Sequence, residues 1–214
     1  MVQKTKKMKI LLKRSLILLM ILGNQSILLE GKDSTNYIIS LNYYLDLSDT
    51  YGGGNLFSGE LSISKSWFGA KMTFGYFHSQ STYLFKVPYE ELGITLEIPI
   101  PEMANMKIGA ISGFIRPVQK NWISIDLVLG LAYANARSLS LKGIDYEYNL
   151  DENRFTYLFK DYQLTKKNHF GYQAGTDVSF HFSKRVGIQL NARIQDLSHG
   201  GTFLFIGTGL CFRF

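Results

Sequence analysis

The sequence is poor in the residues that carry most site chemistry: one cysteine, four histidines and four prolines in 214 residues. The single thiol, Cys211, excludes a disulfide scaffold and any multi-cysteine metal site. No zinc-ligand spacing occurs, and Gly52-Gly53-Gly54 lacks the lysine and helix that a phosphate-binding loop requires, so neither a metal nor a cofactor is expected. Long hydrophobic runs are missing too. The apolar stretch within residues 15–23 has about nine members, whereas a membrane-crossing helix needs about twenty. Acidic residues are absent from residues 1–26, which hold six basic ones: Lys4, Lys6, Lys7, Lys9, Lys13 and Arg14. A basic lead, a short apolar run and the polar Asn24-Gln25-Ser26 read as a secretory signal peptide over 1–26, cleaved between 23 and 31, with 27–214 as the mature domain. Removing its six bases from the 23 leaves 17 against 17 acidic groups. The net charge of +6 thus describes the leader, and no nucleic-acid partner is expected.

What remains is apolar (46% hydrophobic) and aromatic (14%), and it alternates. Val186, Ile188, Leu190, Ala192 and Ile194 face one way; Gly187, Gln189, Asn191, Arg193 and Gln195 face the other. A period of two belongs to a strand and not to a helix. The pattern recurs over 36–47, 56–67, 70–86, 105–117, 121–141, 169–182, 185–197 and 202–214. Pro88, Pro99, Pro101 and Pro117 fall in the expected connections or at a strand end. Tight turns alternate with longer connections, notably loops expected over 87–105 and 142–168, so short and long ends collect on opposite rims. The fold class this implies is all-β: an eight-stranded antiparallel up-and-down transmembrane β-barrel, with the short turns periplasmic.

The choice between a soluble and a membrane barrel rests on which face is apolar. The polar face is rich in glycine, including Gly75, Gly109, Gly113, Gly130, Gly175 and Gly209, which suits a narrow lumen. Parity places Asp46, Glu60, Asp126 and Asp177 inside with Lys71, Lys107, Arg193 and Arg213. Enclosed charges require partners, and four of each sign can pair, joined by Gln173, Gln189, Asn191, His181 and the Ser62/Ser64/Ser66 row. On the apolar face, Tyr37, Trp67, Phe180, Phe182, Phe212 and Phe214 gather near the short-turn rim, while Tyr43, Phe57, Tyr133, Phe170 and Tyr172 lie nearer the other. Two aromatic belts fit two membrane interfaces, with outer-membrane lipid as the surrounding solvent.

With topology, belts and the terminal Gly209-Leu-Cys-Phe-Arg-Phe214 in view, the chain resembles the small eight-stranded bacterial outer-membrane barrels of the OmpA/OmpX type, from about residue 36 onward. The resemblance implies a bacterial outer-membrane location, a monomer, and a C-terminal strand ending in Phe214 that the outer-membrane assembly machinery reads. Function then falls to the outside surface. The segment over 142–168 carries Tyr146, Tyr148, Phe155, Tyr157, Phe159 and Tyr162, suited to contact with an extracellular protein or glycan. The leading expectation is a non-catalytic structural or surface-interaction role.

Two other classes compete. A lipid A deacylase-like hydrolase would use Ser198 and His199, which lie together in Asp196-Leu-Ser-His-Gly-Gly201. Adjacent strand residues point to opposite faces, however, and a nucleophile needs its base within hydrogen-bond reach. His181-Phe-Ser183 has the more suitable spacing but sits at the opposite rim. A soluble periplasmic ligand-binding barrel is the third reading. In either barrel, eight strands leave an interior that side chains fill, so a diffusion pore is not expected.

Overall fold

The computed structural model describes residues 35–48, 50–89, 94–149, 152 and 154–214; the leader expected over 1–26 lies outside them. Eight strands follow in order: β1 (Thr35–Asp46), β2 (Gly54–Lys65), β3 (Phe68–Tyr89), β4 (Ile94–Gln119), β5 (Ile123–Asn149), β6 (Arg154–His181), β7 (Val186–Leu197) and β8 (Gly201–Arg213). Each pairs antiparallel with the next, and β8 closes on β1 through Ile38↔Arg213 to Asp46↔Phe205. Within the barrel, closure gives every strand two neighbours, which removes the exposed sheet edge there. At the seam the Phe214 N–H donates to the Tyr37 carbonyl at 2.9 Å.

The turns at one rim are short: Ser66–Trp67, Lys120–Trp122 and Phe182–Arg185. Ser66 takes the left-handed conformation (φ 57°), which a tight hairpin demands and a non-glycine residue adopts at some cost. At the other rim nearly all the described residues of the expected loops over 87–105 and 142–168 are strand. β3 and β4 stay paired from Phe68↔Ile115 out to Tyr89↔Ile94, and β5 and β6 from Ile123↔Phe180 to Asn149↔Arg154. The alternation that marks a strand is present in Ile94-Thr-Leu-Glu-Ile98. Proline obscured it, because Pro99 and Pro101 lie inside β4 and Pro88 inside β3. They are tolerated because β4 pairs with β5 only up to Met103 and β3 with β2 only up to His78, leaving open edges beyond, where a missing N–H costs no ladder bond. Pro117 sits in the bulge between Ile115 and Val118.

Beyond the barrel the hairpins become two arms, β3–β4 and β5–β6. They pack against each other through their own small core, in which Ile98 and Ile100 meet Leu141, Ile144, Tyr146, Phe155 and Tyr162. Lys160 Nζ of one arm donates to the Pro99 carbonyl of the other at 2.7 Å.

Candidate functional site: lumen, membrane band and projecting arms

The outward wall of the barrel is apolar. Ile39, Leu41, Leu61, Ile63, Met72, Ile111, Leu190, Ile206 and Leu210 are exposed there, and Leu129 and Leu131 present 67% and 74% of their surface. Exposure of that extent around a closed sheet fits lipid and not water, which excludes the soluble-barrel reading. Near the short-turn rim Tyr37, Trp67, Phe182 and Phe214 are exposed, with Phe180 and Phe212 half-buried on the same wall. Phe68 and Trp122 join them, which the sequence reading did not include. At the long rim Tyr43 packs on Phe57 (4.8 Å between ring centroids) and Tyr133 on Phe170 (5.0 Å), with Tyr172 and Tyr76 beside them.

The lumen is layered. Its middle is a closed ionic square. Glu60 accepts from Arg193 at 2.6 Å and pairs with Lys71 at 3.2 Å; Asp177 pairs with that same Lys71 and, at 3.2 Å, with Arg193. Acid and base alternate around it, and all four side chains are buried. Tyr44 donates its hydroxyl to Glu60 at 3.1 Å while the Arg193 guanidinium lies 5.4 Å from its ring centroid. Burial of four ions is tolerable because each has two opposite neighbours and the geometry satisfies much of their hydrogen-bonding capacity. Glycine makes the room: a Cβ on Gly209 would overlap the Asn42 side chain, which accepts from Asn191 at 3.1 Å.

Below the square, Asp126 receives a bidentate pair from Arg116 (2.6 and 3.0 Å), and Arg116 also reaches Ser64. Arg213 is half-buried on the inner face at the short-turn rim, where it donates to His181 Nε2 at 3.0 Å; Ser124 approaches the same nitrogen at 3.3 Å. Asp46 lies at the opposite end, where it accepts from the Ser48 N–H and hydroxyl, both at 2.9 Å.

Lys107 is not in the lumen. Met106 and Ile108 are buried and Lys107 is exposed, so β4 has the opposite parity from that expected, and Gly109 and Gly113 lie on the outer wall with it. The fourth lumen base is Arg116, missed by the sequence reading. The cause is a third lumen layer. Towards the arms the interior is apolar: Tyr44, Leu56, Phe77, Met106, Ile108, Ala134, Leu197, Phe203 and Phe205 form one buried cluster. Phe203 stacks on Phe205 (5.6 Å, 4°), Phe77 meets both edge-on, and Tyr51 closes over Phe203 at 6.0 Å. Burial pushes the Tyr51 phenol up from its ordinary range, so it caps the cluster as a neutral group. Because β4 supplies Met106 and Ile108 to this cork, its inner face reads as apolar, and polarity alone assigned it to lipid.

Ser198 and His199 form the β7–β8 turn. The Ser198 hydroxyl donates to the Phe170 carbonyl at 2.7 Å, and His199 holds a left-handed backbone (φ 58°). The imidazole beside Ser198 is that of His169, whose Nδ1 meets the Ser198 main-chain carbonyl at 3.0 Å. Ser183 accepts from the Arg185 and Val186 N–H groups in its turn, while His181 faces Ser124 and Arg213. Neither histidine–serine set is arranged as nucleophile and base.

Closed topology, apolar wall and polar mid-lumen define the class: the chain is a small eight-stranded β-barrel of the bacterial outer membrane. No protein-family model matches the sequence, and no curated protein is a significant match. Among solved structures the chain is similar to Ail, the attachment invasion locus protein of Yersinia pestis, in complex with the heparin analogue sucrose octasulfate. The identity is 12%, the TM-score 0.52, and the match covers 85% of this chain and 99% of that one. It is also similar to the N-terminal β-barrel domain of Pseudomonas aeruginosa OprF (12% identity, 86% and 100% covered, TM-score 0.45). Neisserial surface protein A matches at 10% identity (85% and 99% covered, TM-score 0.47). At such identities the likeness is one of fold.

Proposed function

We propose that the chain is a non-catalytic surface protein, exported by its leader and acting as a monomer, whose paired arms contact an extracellular protein or a glycan. The observation that carries this reading is the arms themselves. They extend well past the aromatic belt, are stiffened by a core separate from that of the barrel, and display Tyr83, Leu84, Phe85, Tyr157, Phe159 and Leu164 to solvent. Exposed aromatics on a rigid support suit protein or sugar contact better than a mobile loop does, since less entropy is lost on binding.

Charge narrows the partner. Residues 80–102 carry Lys86 against Glu90, Glu91, Glu97 and Glu102; residues 139–165 carry Lys142, Arg154 and Lys160 against Asp145, Glu147, Asp151, Glu152 and Asp161. The arms are acidic, which favours a basic protein surface or an uncharged glycan over a polyanion such as the sulfated sugar bound by Ail.

The test is to replace residues 80–101 and 141–162 by short turns and display both forms on cells. Adhesion to immobilised extracellular-matrix proteins and neutral glycans is expected from the full-length chain and lost from the truncated one. A boiling-dependent gel shift shows that both barrels are folded. Equal adhesion by the two forms overturns the proposal.

A further inference from the structure

The outer wall of β3 to β6, just beneath the arms, carries positive charge without a counter-charge. Two registers run around it. One places Tyr76, Lys107, Asn135 and Asn168 side by side; the next, closer to the arms, places His78, Asn105, Arg137 and Lys166. Arg137 and Lys166 are directly opposed, an arrangement that is unfavourable when like charges face each other across a strand pair. Lys107 is the diagonal neighbour of Arg137 across β4 and β5, within about 8 Å by sheet geometry, and Lys166 lies one strand further on. All three are exposed on the outward face. No acidic residue occupies that face from Met72 to Gln80, Met103 to Ile111, Leu129 to Leu139 or Leu164 to Tyr172. The polar groups between them are committed to one another: Tyr76 and His78 donate to Asn105 (2.9 and 2.7 Å), and Tyr133 and Asn135 to Asn168 (3.0 and 2.7 Å).

Below the cations the wall is recessed. A groove of about 820 Å³ runs across the lipid-facing surface. It is floored at Gly59, walled by Leu41, Phe57, Phe74 and Leu210, and reaches Lys107. On the other flank of Phe74, a Cβ placed on Gly109 would meet nothing within 4 Å; Gly109 lies between Phe74 and Tyr133, one register below Lys107. The apolar groove and the open space over Gly109 therefore converge on one cationic cluster at the level where headgroups meet acyl chains.

We propose that Lys107, Arg137 and Lys166 form a binding site for a phosphorylated, multiply acylated glycolipid of the outer leaflet. Its phosphate sits among the three cations, and its chains lie in the recesses floored by Gly59 and Gly109. Phosphate supplies the missing counter-charge and relieves the Arg137–Lys166 repulsion. The recesses accept chains without displacing protein side chains. The site rests on the outer-membrane orientation given above and is independent of what the arms bind.

The experiment uses the full-length mature chain refolded in detergent micelles, with native mass spectrometry reading lipid retained on release. Diphosphorylated lipid A is expected to remain bound. The triple variant Lys107→Gln, Arg137→Gln, Lys166→Gln is expected to lose about a hundredfold in affinity, given the usual contribution of each basic group at an anionic surface. Dephosphorylated lipid A should bind the unaltered protein as poorly as diphosphorylated lipid A binds the variant. Gly59→Leu with Gly109→Leu, which fills both recesses and keeps the charges, should also weaken retention. Inorganic phosphate at equal concentration should not compete, which separates a lipid site from a simple anion site. An unchanged boiling-dependent gel shift in each variant shows that the barrel and its orientation are intact. Equal retention by the triple variant, equal binding of the dephosphorylated lipid, or full displacement by inorganic phosphate overturns the proposal.

Discussion

Asp177 and Asp46 are both buried carboxylates on the inner wall, yet the structure gives them different weights. Asp177 is the corner of the ionic square that holds Lys71 and Arg193 together, and nothing else in the lumen replaces it. Asp177→Asn keeps the volume but leaves two buried cations facing one acid, so a loss of about 3–5 kcal/mol is expected. Asp46 answers only Ser48 at the mouth, and an asparagine there still accepts from the Ser48 N–H; Asp46→Asn should cost about 1 kcal/mol. Urea unfolding from lipid vesicles measures both, and similar losses at the two sites would show that the square is not the stabilising unit. The sequence brought seven of the eight named lumen charges to the inner wall because alternation alone fixes parity wherever polar and apolar residues separate cleanly. It could not show which charge meets which, since pairing depends on strand stagger. It misplaced Lys107 and missed Arg116 because in β4 both faces hold apolar residues, one set for lipid and one for the cork.

At the scale of elements, the barrel strands and the arms obey different rules. Within the membrane band each strand has two paired neighbours; in the arms β3 beyond His78, β4 beyond Met103, β5 beyond Leu139 and β6 beyond Gly171 each keep a free edge. Free edges invite pairing with other chains, and the arms blunt them with Pro88, Pro99 and Pro101 on one hairpin and with Lys142, Asp145, Glu147 and Lys160 on the other. Those same prolines and charges made the segments read as loops. The arms are held as a pair by a core of few residues, with Ile98 and Ile100 fully buried at its centre. Ile100→Asp places an unpaired charge there and should separate the hairpins while leaving the barrel, whose interior is a distinct cluster, in place. Limited proteolysis is expected to cut within 80–102 and 140–165 in the variant and not in the parent, with the boiling-dependent gel shift retained in both. Loss of that shift would mean that arms and barrel fold as one unit.

For the whole molecule, the order of the lumen layers decides what passes. A polar interior by itself is compatible with conduction, although the barrel width and the possible charge pairs inside lead the sequence to an expected plugged or very narrow lumen. The structure closes the lumen twice, by different physics. The aromatic cork of Phe77, Phe203 and Phe205, capped by Tyr51, is buried and apolar, and an ion entering it would give up hydration for nothing in return. Beneath it the square of Glu60, Lys71, Asp177 and Arg193 spans the lumen and offers its charges to one another instead of to a solute. Either layer alone should suffice. Liposomes containing the protein are therefore expected to show no swelling in small sugars. Phe203→Ala with Phe205→Ala should thin the cork at a stability cost of about 3–5 kcal/mol per ring, and still admit no sugar because the square remains. Measurable uptake is expected only when Glu60→Gln and Lys71→Met are added to those two substitutions, since both barriers are then weakened together. Swelling by the unaltered protein would mean that neither layer closes the lumen, and swelling by the cork variant alone would mean that the square is no barrier by itself.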